Sequence, residues 1–94
     1  MKPEVLLELL ETAADQLAIR VSYEPIQTSV VHGGLCKVKG QYRIIVDKRA
    51  TSEERIITVA TALATFDTSE LELSDKVREL LRAHEGSGKK RKAA

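Results

Sequence analysis

Two residues with reactive side chains stand four apart in the 94-residue chain, in the run His32-Gly33-Gly34-Leu35-Cys36. Such a pair could serve a metal ion, or it could act as a thiol nucleophile with imidazole as its base. A metal needs at least two further ligands. The remaining candidates, Asp47 and His84, stand at no diagnostic spacing. A Cys–His pair needs its side chains in contact and a third group to orient the base. Cys36 also falls in a strand pattern, on the side expected to face inward, where cysteine acts as a small inert hydrophobe. Gly33-Gly34 lacks both phosphate-loop spacings and no helix pattern starts behind it, so it reads as a turn. No catalytic residue, metal site or cofactor is expected.

Charge offers the next candidates. The net charge of +1 hides a basic run at Lys89, Lys90, Arg91 and Lys92. Without that run, 11 basic residues face 14 acidic ones. A second basic group lies at Lys37, Lys39, Arg43, Lys48 and Arg49, while Glu4, Glu8, Glu11 and Asp15 make the opposite end acidic. Such separation can steer a partner or a second copy of the chain. It can also hold nucleic acid by counterion release, weakly and with a steep salt dependence. The ordinary readings are a solubilising tail and a sheet edge protected by lysine.

The elements that must position these residues follow from periodicity. Pro3 suits a first helical turn, and Leu6, Leu10, Ala13 and Leu17 recur on one face over about residues 3–18. Val21 and Tyr23 mark a short strand that Pro25 confines to an edge. Thr28–His32 would extend or replace it. Leu35–Lys39 and Gln41–Asp47 form a hairpin, with Lys39-Gly40-Gln41 as its connection. Cys36 and Val38 are expected inward on one strand, and Tyr42, Ile44 and Val46 on the other. Thr51 and Glu54 form a capping box for a second helix reaching about Phe66. Its apolar side is Ile56, Val59, Leu63 and Phe66, and its other side is Thr58, Thr61 and Thr65, with no charge from 56 to 66. Solvated faces normally carry Lys, Glu or Gln, so this helix is expected to be enclosed by the domain or by a partner. Ser74 caps a last helix with Val77, Leu80 and Leu81 inward, and Gly86 stops it.

The expected fold is α+β. An N-terminal helix precedes a small three-stranded antiparallel sheet, and two C-terminal helices pack on that sheet. Residues 1–85 make one domain and 86–94 a flexible basic tail. With aromatics at 3% the core must be aliphatic. The chain holds no run of the ~20 apolar residues that a membrane span requires. Its Met-Lys-Pro-Glu start leads straight into a Glu-bearing helix, unlike a signal peptide. A single cysteine excludes an internal disulfide. A cytoplasmic protein without membrane partners is the expectation.

The run G-G-L-C-K-V-K-G-Q-Y-R-I-I-V-D-K-R, followed by T-S-E-E-R-I-I-T-V-A-T-A-L-A-T, resembles the minimal core of ImmA/IrrE-type metallopeptidases. In that family a hairpin leads to a helix of the pattern E-R-x-x-F-T-L-A-H-E-L-G-H. Arg55 matches its arginine, and Thr58, Val59 and Ala60 match its T-L-A step. The resemblance puts the two metal-binding histidines at Thr61 and Thr65 and the general-base glutamate at Ala62. Threonine and alanine supply neither imidazole nor carboxylate, so it implies a zincin-like fold without the activity. The expected function is a small non-catalytic interaction module, binding an unknown protein or its own copy through Thr58, Thr61 and Thr65 or through the hairpin edge. The alternatives are weak nucleic-acid association through the basic groups, and a metallopeptidase-like or Cys/His hydrolase, which the missing residues disfavour.

Overall fold

The computed structural model describes residues 2–25 and 34–85. Six elements follow in order: α1 (Pro3–Gln16), β1 (Arg20–Glu24), β2 (Gly34–Val38), β3 (Gln41–Asp47), α2 (Ser52–Leu63) and α3 (Asp75–Ala83). The architecture is α+β, with α1 and α2 packed on each other and on the sheet and α3 packed on α1 and α2. Thr28–His32, Gly33 and the tail from Gly86 onward lie outside the described residues.

The helices start and stop for local reasons. Pro3 opens α1 where a missing N–H costs nothing. The Thr51 hydroxyl accepts from the Glu54 amide at 3.2 Å while the Glu54 carboxylate accepts from the Thr51 amide at 2.9 Å, which satisfies two orphan donors of α2. These hydrogen bonds hold the Glu54 carboxyl below its usual range. Ser74 caps α3 through the Val77 amide. At the far end of α1 the chain reverses through Ala18 at φ 58°, and the Ile19 amide bonds back to the Ala14 carbonyl at 2.9 Å. That 6→1 closure normally uses glycine, because a Cβ is strained in the left-handed region.

The sheet order is β1-β3-β2. β2 and β3 form the expected antiparallel hairpin, but β1 runs parallel to β3, pairing Val21 with Ile44 and Tyr23 with Val46. The sheet is therefore mixed, not antiparallel throughout. The chain leaves β1 and enters β2 at the same end of the sheet, skipping the central position, which the returning hairpin strand then fills.

The hairpin connection is two residues, Lys39 at φ 51° and Gly40 at φ 81°, the positive pair that matches the sheet's twist. Val38 thus pairs with Gln41, and Leu35 with Ile44. This corrects the expected phase of β2. Leu35 and Lys37 share the helix-facing side with Tyr42, Ile44 and Val46, and Lys37 Nζ sits 5.1 Å from the Tyr42 ring centroid. Cys36 and Val38 face the other way.

Ile44 and Val46 are fully buried and share one core cluster with Leu10, Ala13 and Ala14 of α1 and Val59, Ala60 and Leu63 of α2, to which α3 adds Val77 and Leu81 through its packing on α1 and α2. Phe66 closes one end, edge-on to Tyr42 at 5.0 Å. No polar or charged residue is among the buried ones described. Polar clamps surround this core. Gln16 exchanges two hydrogen bonds with the Glu72 backbone, at 3.1 and 3.2 Å, tying the α2–α3 connection to α1. Tyr23 donates to Glu11 at 2.9 Å and lies under the Arg55 guanidinium at 5.0 Å. Arg55 in turn donates to the carbonyls of Ala50 and Lys48. Burial, together with the adjoining Glu11 carboxylate, pushes the Tyr23 hydroxyl up to about 12.

Two outcomes are expected. Replacing Ala18→Gly relieves the left-handed strain and raises stability by about 0.5–1 kcal/mol in denaturant unfolding, the strain of ~1–2 kcal/mol being partly offset by glycine's extra unfolded-state freedom. Because the folded pKa of Tyr23 lies above the unfolded value near 10, its contribution is complete below pH ~10 and fades as pH rises through about 12. In Tyr23→Phe, unfolding midpoints measured across that window should lose this part of the alkaline decline.

Candidate interaction surface

Strand pairing sorts every sheet residue onto one of two faces. Val21, Tyr23, Leu35 and Tyr42 pack against the core together with Ile44 and Val46. The opposite face carries Arg20, Ser22 and Glu24 from β1, Gly34, Cys36 and Val38 from β2, and Gln41, Arg43, Ile45 and Asp47 from β3. None of these joins the core, and no described helix covers them. This face is the surface to explain.

It is laid out in rows across the strands. Arg20, Arg43 and Cys36 form one row. Ser22, Ile45 and Gly34 form the next, and Glu24 and Asp47 end the face. Two arginines thus stand side by side at one end and two carboxylates at the other. Like charges placed directly opposite oppose strand pairing. Arg20 and Arg43 make no ion pair among the described residues, while Asp47 accepts from the Arg49 amide at 3.0 Å and lies 3.6 Å from its Nε. Between the charged rows Ile45 is half-buried, flanked by a serine and by a glycine with open space where a Cβ would stand. Val38 is 44% exposed at the turn end.

The expected basic group does not converge. Lys37 lies on the helix side over Tyr42, Arg43 lies on the open face, and Lys39 occupies the turn. Lys48 and Arg49 follow the far end of β3. Lys89, Lys90, Arg91 and Lys92 lie outside the described residues, as does His32. Among the described residues no three His, Cys, Asp or Glu side chains come together to hold a metal. Cys36 is half-buried beside Arg43, away from the interior position expected of it.

The described part of the domain does not by itself enclose the second helix. Ile56, Val59, Leu63 and Phe66 are buried, but Ile57 is 53% exposed and Thr61 faces solvent. Thr58 and Thr65 donate their hydroxyls to the carbonyls of Glu54 and Ala62, at 3.0 and 2.7 Å, so they need no outside partner. Thr61 lies 3.5 Å from Nδ1 of His84. Of the two positions that the metallopeptidase resemblance assigns to histidines, Thr61 is exposed on α2 and Thr65 is half-buried just past its end, while Ala62 is buried.

The chain matches no protein-family model, no curated protein and no solved structure. Two depressions lie on the described surface. One of about 370 Å³ lies between the end of α1 and β1, lined by Glu11, Asp15, Ala18 and Arg20. The other, of about 170 Å³, lies beside Phe66, Arg78 and Arg82. Each has a charged group already engaged: Glu11 accepts from Tyr23, and Arg78 donates to the Leu71 carbonyl at 2.8 Å. No described helix is long and apolar enough to cross a membrane.

Arg20, Glu24 and Ile45 are the residues that sequence reasoning passed over. Their signal was the alternation Arg20-Val21-Ser22-Tyr23-Glu24, which announces one polar and one apolar face, but only the pairing with β3 shows that the charges align in rows. Because Cys36 stands on the open face, Cys36→Ser should cost less than about 1 kcal/mol in denaturant unfolding, as for a surface change, and a maleimide should label Cys36 in the folded protein.

Proposed function

We propose that the protein is a small non-catalytic interaction module whose contact surface is the sheet face that no described helix covers. The observation that carries this reading is the pairing-defined face itself, where Ile45, Cys36 and Val38 stay out of the core between rows of unlike charge. A sheet that is apolar on one side is satisfied by a single helical layer. Branched and apolar side chains on its second side have no part in that core, and an apolar centre with a charged rim is how protein interfaces are commonly built.

The nearest competitor, nucleic-acid association, draws on Lys37, Lys39, Arg43, Lys48, Arg49 and the 89–92 run. It has less support, because the first five are spread over both faces and both ends of the hairpin.

The test is affinity capture from nuclease-treated lysate with the full chain and with Ile45→Lys, alongside measurement of self-association. The expected outcome is a protein partner, or a second copy, whose binding survives nuclease treatment. Ile45→Lys should lose it with the unfolding midpoint little changed. Binding that disappears with nuclease and falls steeply with salt would instead mark the basic groups as the working part.

A further inference from the structure

We propose that the sheet face left open by the described residues takes a second copy of this chain, stacked face to face about a two-fold axis that crosses the strands at Ile45. The proposal rests on reading this face as the contact surface, and it names the occupant. The argument is one of charge order. On β1 and β3 the face runs from Arg20 and Arg43, through Ser22 and Ile45, to Glu24 and Asp47. The charged rows are four residues apart along each strand, about 13 Å, with the Ser22–Ile45 row midway. A two-fold rotation about a line through that middle row turns the face over and reverses the strands. It sets each arginine row on the partner copy's carboxylate row. Both like-charge neighbours inside one sheet then gain opposite charges across the contact. A surface that meets its own copy isologously must be self-complementary in this way.

Shape agrees with charge. At the axis, Ile45 of each copy meets the same row of the other, where a serine and a side-chain-free glycine flank the projecting isoleucine. Because it lies on the axis, each Ile45 packs against its own twin whatever the angle between the stacked sheets, and the small neighbours leave the two side chains room to meet. The footprint of three strands and five residues is roughly 14 by 17 Å. That is small beside the ~800 Å² per partner of a standard interface. The pair is therefore weak, concentration-dependent and more salt-sensitive than an apolar contact of equal size.

Arg20 and Glu24 test the arrangement, since both are exposed and stand at the two ends of β1. Sedimentation equilibrium at low salt should show the full-length chain dimerising. Arg20→Glu and Glu24→Arg should each weaken the dimer at least about ten-fold, by placing like charges across it. An equimolar mixture of the two variants should recover association, because every contact between them is then of opposite sign. The double variant Arg20→Glu/Glu24→Arg should recover it alone. Within one chain the two residues are too far apart to compensate each other, so recovery reports on a contact between copies. Circular dichroism confirms that each variant is folded, and Arg20→Gln and Glu24→Gln replace any that is not, with a smaller loss expected. A wild-type chain monomeric up to about 1 mM, weaker than any specific contact of use, overturns the proposal. So does a mixture no tighter than the single variants. If the chain is monomeric while Ile45→Lys still abolishes capture of a different protein, self-contact fails and the interaction reading stands.

Discussion

The central strand is the constraint on which the rest depends. β3 carries Ile44 and Val46, both wholly buried, and both other strands take their register from it. All three helices bury residues against the cluster that forms around those two side chains. Because β3 has neighbours on both edges, every position on it is assigned to a face with no freedom to slip. That assignment makes Arg43, Ile45 and Asp47 outward residues and orders the charges on the open face.

Much of this was legible beforehand, for reasons that are local. The capping box at Thr51 and Glu54, the Ser74 cap and the apolar stripe of α1 are all written within a few residues of where they act. The β3 alternation and its bounds, Gln41–Asp47, were legible too. What was not legible was β2. Taking Lys39-Gly40-Gln41 as the connection pairs Val38 with Tyr42 and turns Cys36 inward. The two-residue turn pairs Val38 with Gln41 and turns Cys36 outward. One residue of turn length reverses a whole strand, and the run Leu35-Cys36-Lys37-Val38 carries apolar side chains on both phases, so its own pattern could not decide.

The direction of β1 was equally out of reach. Its five residues say that Val21 and Tyr23 share a side, but nothing in them distinguishes parallel from antiparallel pairing. The rows of like charge exist only because the pairing is parallel and in register, with Arg20 beside Arg43 and Glu24 beside Asp47. In an antiparallel arrangement reversed about the Ser22–Ile45 row, each arginine would have met a carboxylate inside the same sheet. The side of α2 that carries Thr58 and Thr61 is ambiguous for a different reason. An uncharged helix side can be covered by the domain or by a partner, or can satisfy its hydroxyls on its own backbone as Thr58 and Thr65 do, and the sequence pattern is the same in each case.

The same topology sets an order of events along the growing chain. The β2–β3 hairpin closes over two residues and can form as soon as it is made, whereas β1 must wait for a partner strand that begins seventeen residues after β1 ends. Until β3 exists, α1 has completed its turns with Leu7 and Leu10 facing nothing. Non-local parallel pairing is slow to form, so the helix and strand that are synthesised first must wait for β3 before they can dock. The interval between those two moments is when this chain is most exposed to wrong associations. Through that wait, Glu4, Glu8, Glu11 and Asp15 set a like-charged face beside the leucines of α1, and like charge opposes association between copies.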